Sequence, residues 1–63
     1  MKTTYDPQID ALYVRMADVP VEGSEEVAPG IVLDFDKEHR LVGIEVLNAS
    51  ANAAPGAIPA AAE

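Results

Sequence analysis

The chain has no cysteine, no tryptophan, one histidine, three aromatic residues and four basic residues. Each scarcity excludes something. Without cysteine, neither a disulfide nor a thiolate zinc site can reinforce a small fold. The lone histidine, His39, cannot make a multi-histidine metal site within one chain. Four Lys and Arg against eleven Asp and Glu leave a net charge of −7. That argues against a nucleic-acid partner, whose backbone needs clustered cations. An acidic surface serves solubility or meets a basic partner. No stretch approaches the ~18 apolar residues of a membrane helix. The opening "MKTTYDPQID" has a lysine but no apolar core, so it does not read as a signal peptide. The sequence therefore predicts a cytoplasmic protein without a membrane partner. The "NAS" sequon at Asn48 to Ser50 has no meaning without secretion.

What is present is short. Sixty-three residues make one small domain. A chain of this size buries only ~60% of its unfolded surface, so its own core is marginal. With disulfides and metals excluded, oligomerisation is the remaining common reinforcement. A homodimer or higher homo-oligomer is expected.

Composition divides the chain near Leu47. The segment "NASANAAPGAIPAAAE" holds 8 of the 11 alanines and one large apolar residue, Ile58. Asn48 or Ser50 can cap a single helical turn, which Pro55 and Gly56 would stop. The domain is expected over residues 1–50, with 51–63 an Ala/Pro-rich tail, largely disordered. Before the tail, "MKTTY" reads as a strand and "YDPQID" as a turn, since Pro7 cannot donate to a ladder. "ALYVRMA" alternates, with Leu12, Val14 and Met16 on one side and Tyr13 and Arg15 on the other. "DVPVEGSEEVAPG" reads as a loop with at most a short edge strand near Glu26 to Ala28. "GIVLDFD" and "RLVGIEVL" form the clearest strand pair.

The stretch between them, "DFDKEHRLVGIE", supports two readings. Asp34, Asp36, Glu38 and Glu45 fall at positions 1, 3, 5 and 12 of a calcium-loop spacing. Such a loop needs flanking helices and glycine at position six. Here that position is His39, and the flanks are β-branched. A hairpin explains the same residues better. Lys37, Glu38 and His39 form a three-residue loop, with His39 in the left-handed conformation and Asp36 opposite Arg40. An uninterrupted ladder from that turn puts Ile31, Leu33, Phe35, Leu41 and Leu47 on one face. Val32, Val42, Ile44 and Val46 then share the other with Asp34, and both faces want cover.

No catalytic constellation emerges. His39 sits on a turn without a pocket, Ser24 and Ser50 lie in loop-like segments, and no glycine-rich phosphate loop occurs. Asp34, Asp36 and Glu38 read as a solvated acidic hairpin tip with Arg40 as counterion. Tyr5 and Tyr13 are expected to stack across neighbouring strands, and Arg15 to pair with an acidic neighbour. No catalytic, cofactor-binding or metal-ligating residue is assigned.

"TTYDPQIDALYVRM", "EEVAPGIVLDFD" and "RLVGIEVLNAS" together resemble a small bacterial and archaeal family, the domain of unknown function 2283. Its members open with a Tyr-Asp-Pro turn and an "ALY" strand and close with an aspartate-bounded hairpin. The resemblance covers roughly residues 1 to 50. The family's hairpin turn usually carries glycine where this chain has His39, and the Ala/Pro tail is a further departure. The resemblance implies no activity and no site residues. By gene arrangement, some relatives look like small partners of toxin-type proteins.

The resulting expectation is an α+β, mostly β protein. Its antiparallel sheet has three to four strands, near residues 1–5, 11–17, 30–36 and 40–47, with a C-terminal hairpin over residues 30–47 and a short C-terminal helix. Two functions fit this expectation. One is a non-enzymatic interaction module, antitoxin-like, for a basic partner. The other is a ligand-binding protein or enzyme whose site forms between subunits from Asp34, Asp36, His39 or Arg15.

Overall fold

The structure, a computed structural model, describes residues 1–58. Five strands and one helical turn follow in order: β1 (Lys2–Asp6), β2 (Ala11–Arg15), β3 (Gly23–Ala28), β4 (Ile31–Phe35), β5 (Leu41–Leu47) and α1 (Ala49–Asn52). They form one antiparallel sheet in the order β1-β2-β5-β4-β3. The mostly β architecture and the C-terminal helix match expectation. The strand count is corrected from three to four up to five. β3 is the added strand: "GSEEVA" is exposed along its whole length, so it shows no apolar alternation. Its pairing with β4 creates it, through a register running from Gly23 opposite Phe35 to Ala28 opposite Ile31. The part of the expected disordered tail at residues 59–63 lies outside the described residues.

Local chemistry sets the turns. Asp6 accepts the Gln8 amide at 3.0 Å and starts the turn at Pro7. Pro29 and Gly30 join β3 to β4, and Gly30 has φ +79°, the positive value needed at the second central position of a type II turn. Asp36 starts the β4–β5 hairpin as expected. Its carboxylate accepts the Glu38 and Arg40 amides at 2.9 and 2.8 Å. His39 takes φ +62°, and its ring stacks on Phe35 with centroids 4.2 Å apart.

Beyond this hairpin the expected ladder is corrected. Phe35 opposes Leu41, but Asp34 opposes Gly43. Val42 is therefore an extra, bulged residue. One such residue moves every later side chain of β5 to the opposite face. Ile44 and Val46 now align with Leu33 and Ile31, while Gly43 and Glu45 align with Asp34 and Val32. Instead of two mixed faces, the sheet has one apolar face and one polar face.

The apolar face is built from cross-strand rows. One runs Thr3, Val14, Ile44, Leu33, Glu25, and the next runs Tyr5, Leu12, Val46, Ile31, Ala28. Tyr5 and Tyr13 point to opposite faces, because Tyr5 pairs with Leu12 while Tyr13 pairs with Thr4. The expected stacking is thereby excluded. Among the described residues only Leu12, Val42 and Ala49 are buried apolar residues. The remaining apolar side chains of the face are half-buried, except Ala28 and Leu41, which are exposed.

The helical turn is capped from elsewhere in the chain. Asn48 precedes it with φ +51° and makes no side-chain cap. Asp10 does that work from the β1–β2 turn. Its carbonyl accepts the Ala49 amide at 2.9 Å, and its carboxylate accepts the Ser50 amide at 3.1 Å and the Ser50 hydroxyl at 2.6 Å. The Tyr5 hydroxyl donates to the same carboxylate at 2.6 Å. These donors hold the Asp10 pKa below the ordinary carboxylate value, Ser50's hydroxyl most of all and Tyr5's next.

Candidate functional site

The polar face carries the site. Arg15, Gly43, Asp34 and Ser24 form one cross-strand row, and Tyr13, Glu45, Val32 and Glu26 form the next. Asp34 is only 2% exposed, the sole buried charged residue among those described. It accepts a 2.6 Å hydrogen bond from the Ser24 hydroxyl. Glu45 lies diagonally from it, a spacing that long side chains span. The Glu45 pKa is raised, first by a hydrogen bond to Asp34, then by burial and by the Asp34 charge. Glu45 therefore keeps its proton to higher pH than an isolated carboxyl would. The Tyr13 hydroxyl is also pushed up, by burial and then by the charge of Asp34.

Gly43 makes this arrangement possible. A Cβ there would stand 2.6 Å from the Tyr13 hydroxyl oxygen and 2.8 Å from the Val14 carbonyl oxygen. The missing side chain lets the tyrosine lie across β5 toward Asp34. The crossover from β2 to β3 closes one side. Arg15 holds it, donating from Nε to the Ala17 carbonyl at 3.1 Å and from Nη2 to the Val19 carbonyl at 2.7 Å. Its expected acidic neighbour is Asp18, at 3.9 Å. Val21 then borders an open cleft of about 420 Å³ with Tyr13, Arg15, Ser24, Asp34 and Glu45.

The four acids of the calcium-loop spacing do not converge. Asp34 and Glu45 meet on the polar face. Asp36 caps the hairpin and pairs with Arg40 at 3.2 Å, while Glu38 pairs with the same guanidinium. The Arg40 amide chiefly, and the Glu38 amide after it, keep the Asp36 pKa low. Among the described residues, no three of His, Asp and Glu are grouped to hold a metal ion. His39 lies on Phe35, away from the carboxyl pair. Of the groups named for a shared site, only Asp34 and Arg15 border the cleft. Tyr13, Ser24 and Glu45 complete it and were not assigned from sequence. The available signal was Gly43, since an isolated strand glycine marks a bulge or a close approach.

Among the described residues, no helix is long and apolar enough to cross a membrane. No curated protein matches the chain. No solved structure matches it either. A family model, "Protein of unknown function (DUF2283)", matches residues 2–50. That match spans the sheet, the bulge, the carboxyl pair and the start of α1, so the chain belongs to the DUF2283 family.

Proposed function

We propose that this protein is a non-enzymatic protein-interaction module whose working surface is the apolar face of its sheet. One observation carries the reading: a whole face of Val14, Ile44, Leu33, Phe35, Ile31 and Val46 is left half-buried on a single-layer sheet. Among the described residues the only other element is a four-residue helix. An antiparallel sheet normally packs one face on a core and wets the other, and contiguous apolar surface marks an interaction site. The acidic outer edge, with Glu25 and Glu26 on β3, suits a basic protein as an additional partner, as in an antitoxin-like role. The test is a photo-crosslinking residue at position 14 or 44, with position 37 as control. Adducts at 14 and 44 but not at 37 are expected. No adduct at either face position overturns the reading.

A second reading rests on the cleft over Asp34. A buried carboxyl beside Glu45, walled by Tyr13 and Val21, would receive a small cationic ligand. Line broadening of the Tyr13 ring on titration with small amines tests it, and unchanged spectra dismiss it.

A further inference from the structure

The apolar face needs an occupant, and we propose that it is a second copy of this chain, packed face to face about a twofold axis near β5. The inference rests on the reading of that face as a docking surface, and three observations select the partner.

The first is the state of the core. Only Leu12, Val42 and Ala49 are buried apolar residues among those described. A heterologous partner would leave the chain without a core until the two met. A second copy is present wherever the chain is made, and two identical twisted sheets pack about 10 Å apart with their inner side chains interdigitated. An isologous contact also presents the same patch from both sides, so a face whose centre is uncharged, with Glu25 only at its β3 edge, suits itself.

The second is size. The molecule measures 34 by 23 Å along its two longer axes. A face of these dimensions offers at most ~800 Å² per copy, which matches the ~1,600 Å² total of stable specific interfaces.

The third is where the charges lie. Val14, Ile44, Leu33, Phe35, Ile31, Val46 and Leu12 bring no charge to the face, and Glu25 and the Glu26 row stand at its β3 edge or behind it. β1 ends in Lys2 and Asp6, and β3 carries Glu25 and Glu26. Charged edge strands oppose edge-to-edge pairing, which leaves the flat face as the route to assembly.

Charge also supplies a discriminating sign. Two copies each carrying −7 repel at long range, so screening by salt must tighten their association. A basic partner would be released by the same salt. Sedimentation equilibrium of the whole chain at micromolar concentration, at low and at high salt, is therefore decisive. A particle of twice 6.6 kDa, tighter at high salt, is expected. A well-folded monomer overturns the proposal. The docking reading itself would then survive only if the photo-crosslinker at position 14 or 44 joined the chain to a different protein.

The face is identified without substitution by nuclear Overhauser contacts in a mixed labelled and unlabelled sample. Contacts between copies among the methyls of Val14, Leu33 and Ile44 support the proposal. Contacts between copies confined to β3, or to the Tyr13 face, overturn it. Ile44→Asp should dissociate and unfold the chain together, and an Ile44→Asp dimer of undiminished affinity also counts against it.

Discussion

At the scale of residues, two carboxyl groups titrate in opposite senses. Glu45 holds its proton to higher pH when folded, because Asp34 accepts it in a partly buried row. The folded state therefore binds more protons than the unfolded one. The stability this adds is present below the ordinary carboxyl range and is lost as pH rises through the raised value. Asp10 is the reverse: the hydroxyls of Ser50 and Tyr5 favour its charged form. Its contribution is present above the ordinary carboxylate range and is lost as pH falls through the lowered value. Glu45→Gln keeps a donor toward Asp34 at every pH. Urea midpoints should show the variant more stable than the parent by about 0.5–1.5 kcal/mol at neutral pH, the worth of one retained hydrogen bond, with the gap closing under acid. Asp10→Asn tolerates the left-handed backbone at φ +53° but carries no charge. Its stability should fall less steeply than the parent's on acidification.

At the scale of elements, the decisive feature is the bulge in β5. Val42 is 1% exposed and unopposed between the Phe35–Leu41 and Asp34–Gly43 pairs. Its carbonyl accepts the Met16 and Ala17 amides at 2.8 and 3.2 Å, so the crossover from β2 locks onto the bulged residue. Gly43 follows it beneath the Tyr13 ring. Gly43→Ala places a methyl against the Val14 carbonyl and the tyrosine at once. A loss of about 1–3 kcal/mol is expected, the usual cost of forcing an extra carbon into a filled space. The tyrosine must also leave Asp34, so the near-ultraviolet circular dichroism of the variant should change. A variant as stable as the parent, with an unchanged tyrosine spectrum, would refute this account of β5.

At the scale of the whole molecule, the fold is a single layer. Its hydrogen bonds hold the sheet together, but among the described residues its apolar side chains other than Leu12, Val42 and Ala49 are half-buried or exposed. A domain this small has little stability to spare. If the second layer is another copy, mass action couples folding to assembly. The thermal midpoint should then rise by several degrees as protein concentration is raised a hundredfold, because each tenfold change in association is worth ~1.4 kcal/mol and ~1 kcal/mol moves a domain of this size by 4–8 °C. Differential scanning calorimetry over that range is the check, and a concentration-independent midpoint contradicts the coupling.

The sequence by itself determined what depends on neighbours along the chain. Period-two alternation marks β2, while Pro7 and the Asp36-to-Arg40 loop place two turns, including the left-handed His39. These are local torsional and hydrogen-bonding preferences, legible wherever they occur. Tertiary structure alone decided what depends on partners far away in the chain. β3 is a strand because β4 offers it a ladder, although its exposed Ser and Glu residues show no pattern. The bulge at Val42 decided which apolar residues share a face, and a one-residue shift cannot be read from alternation when both registers look apolar. The carboxyl pair followed from it, for Glu45 meets Asp34 only after that shift. Gly43 was the single local hint of both.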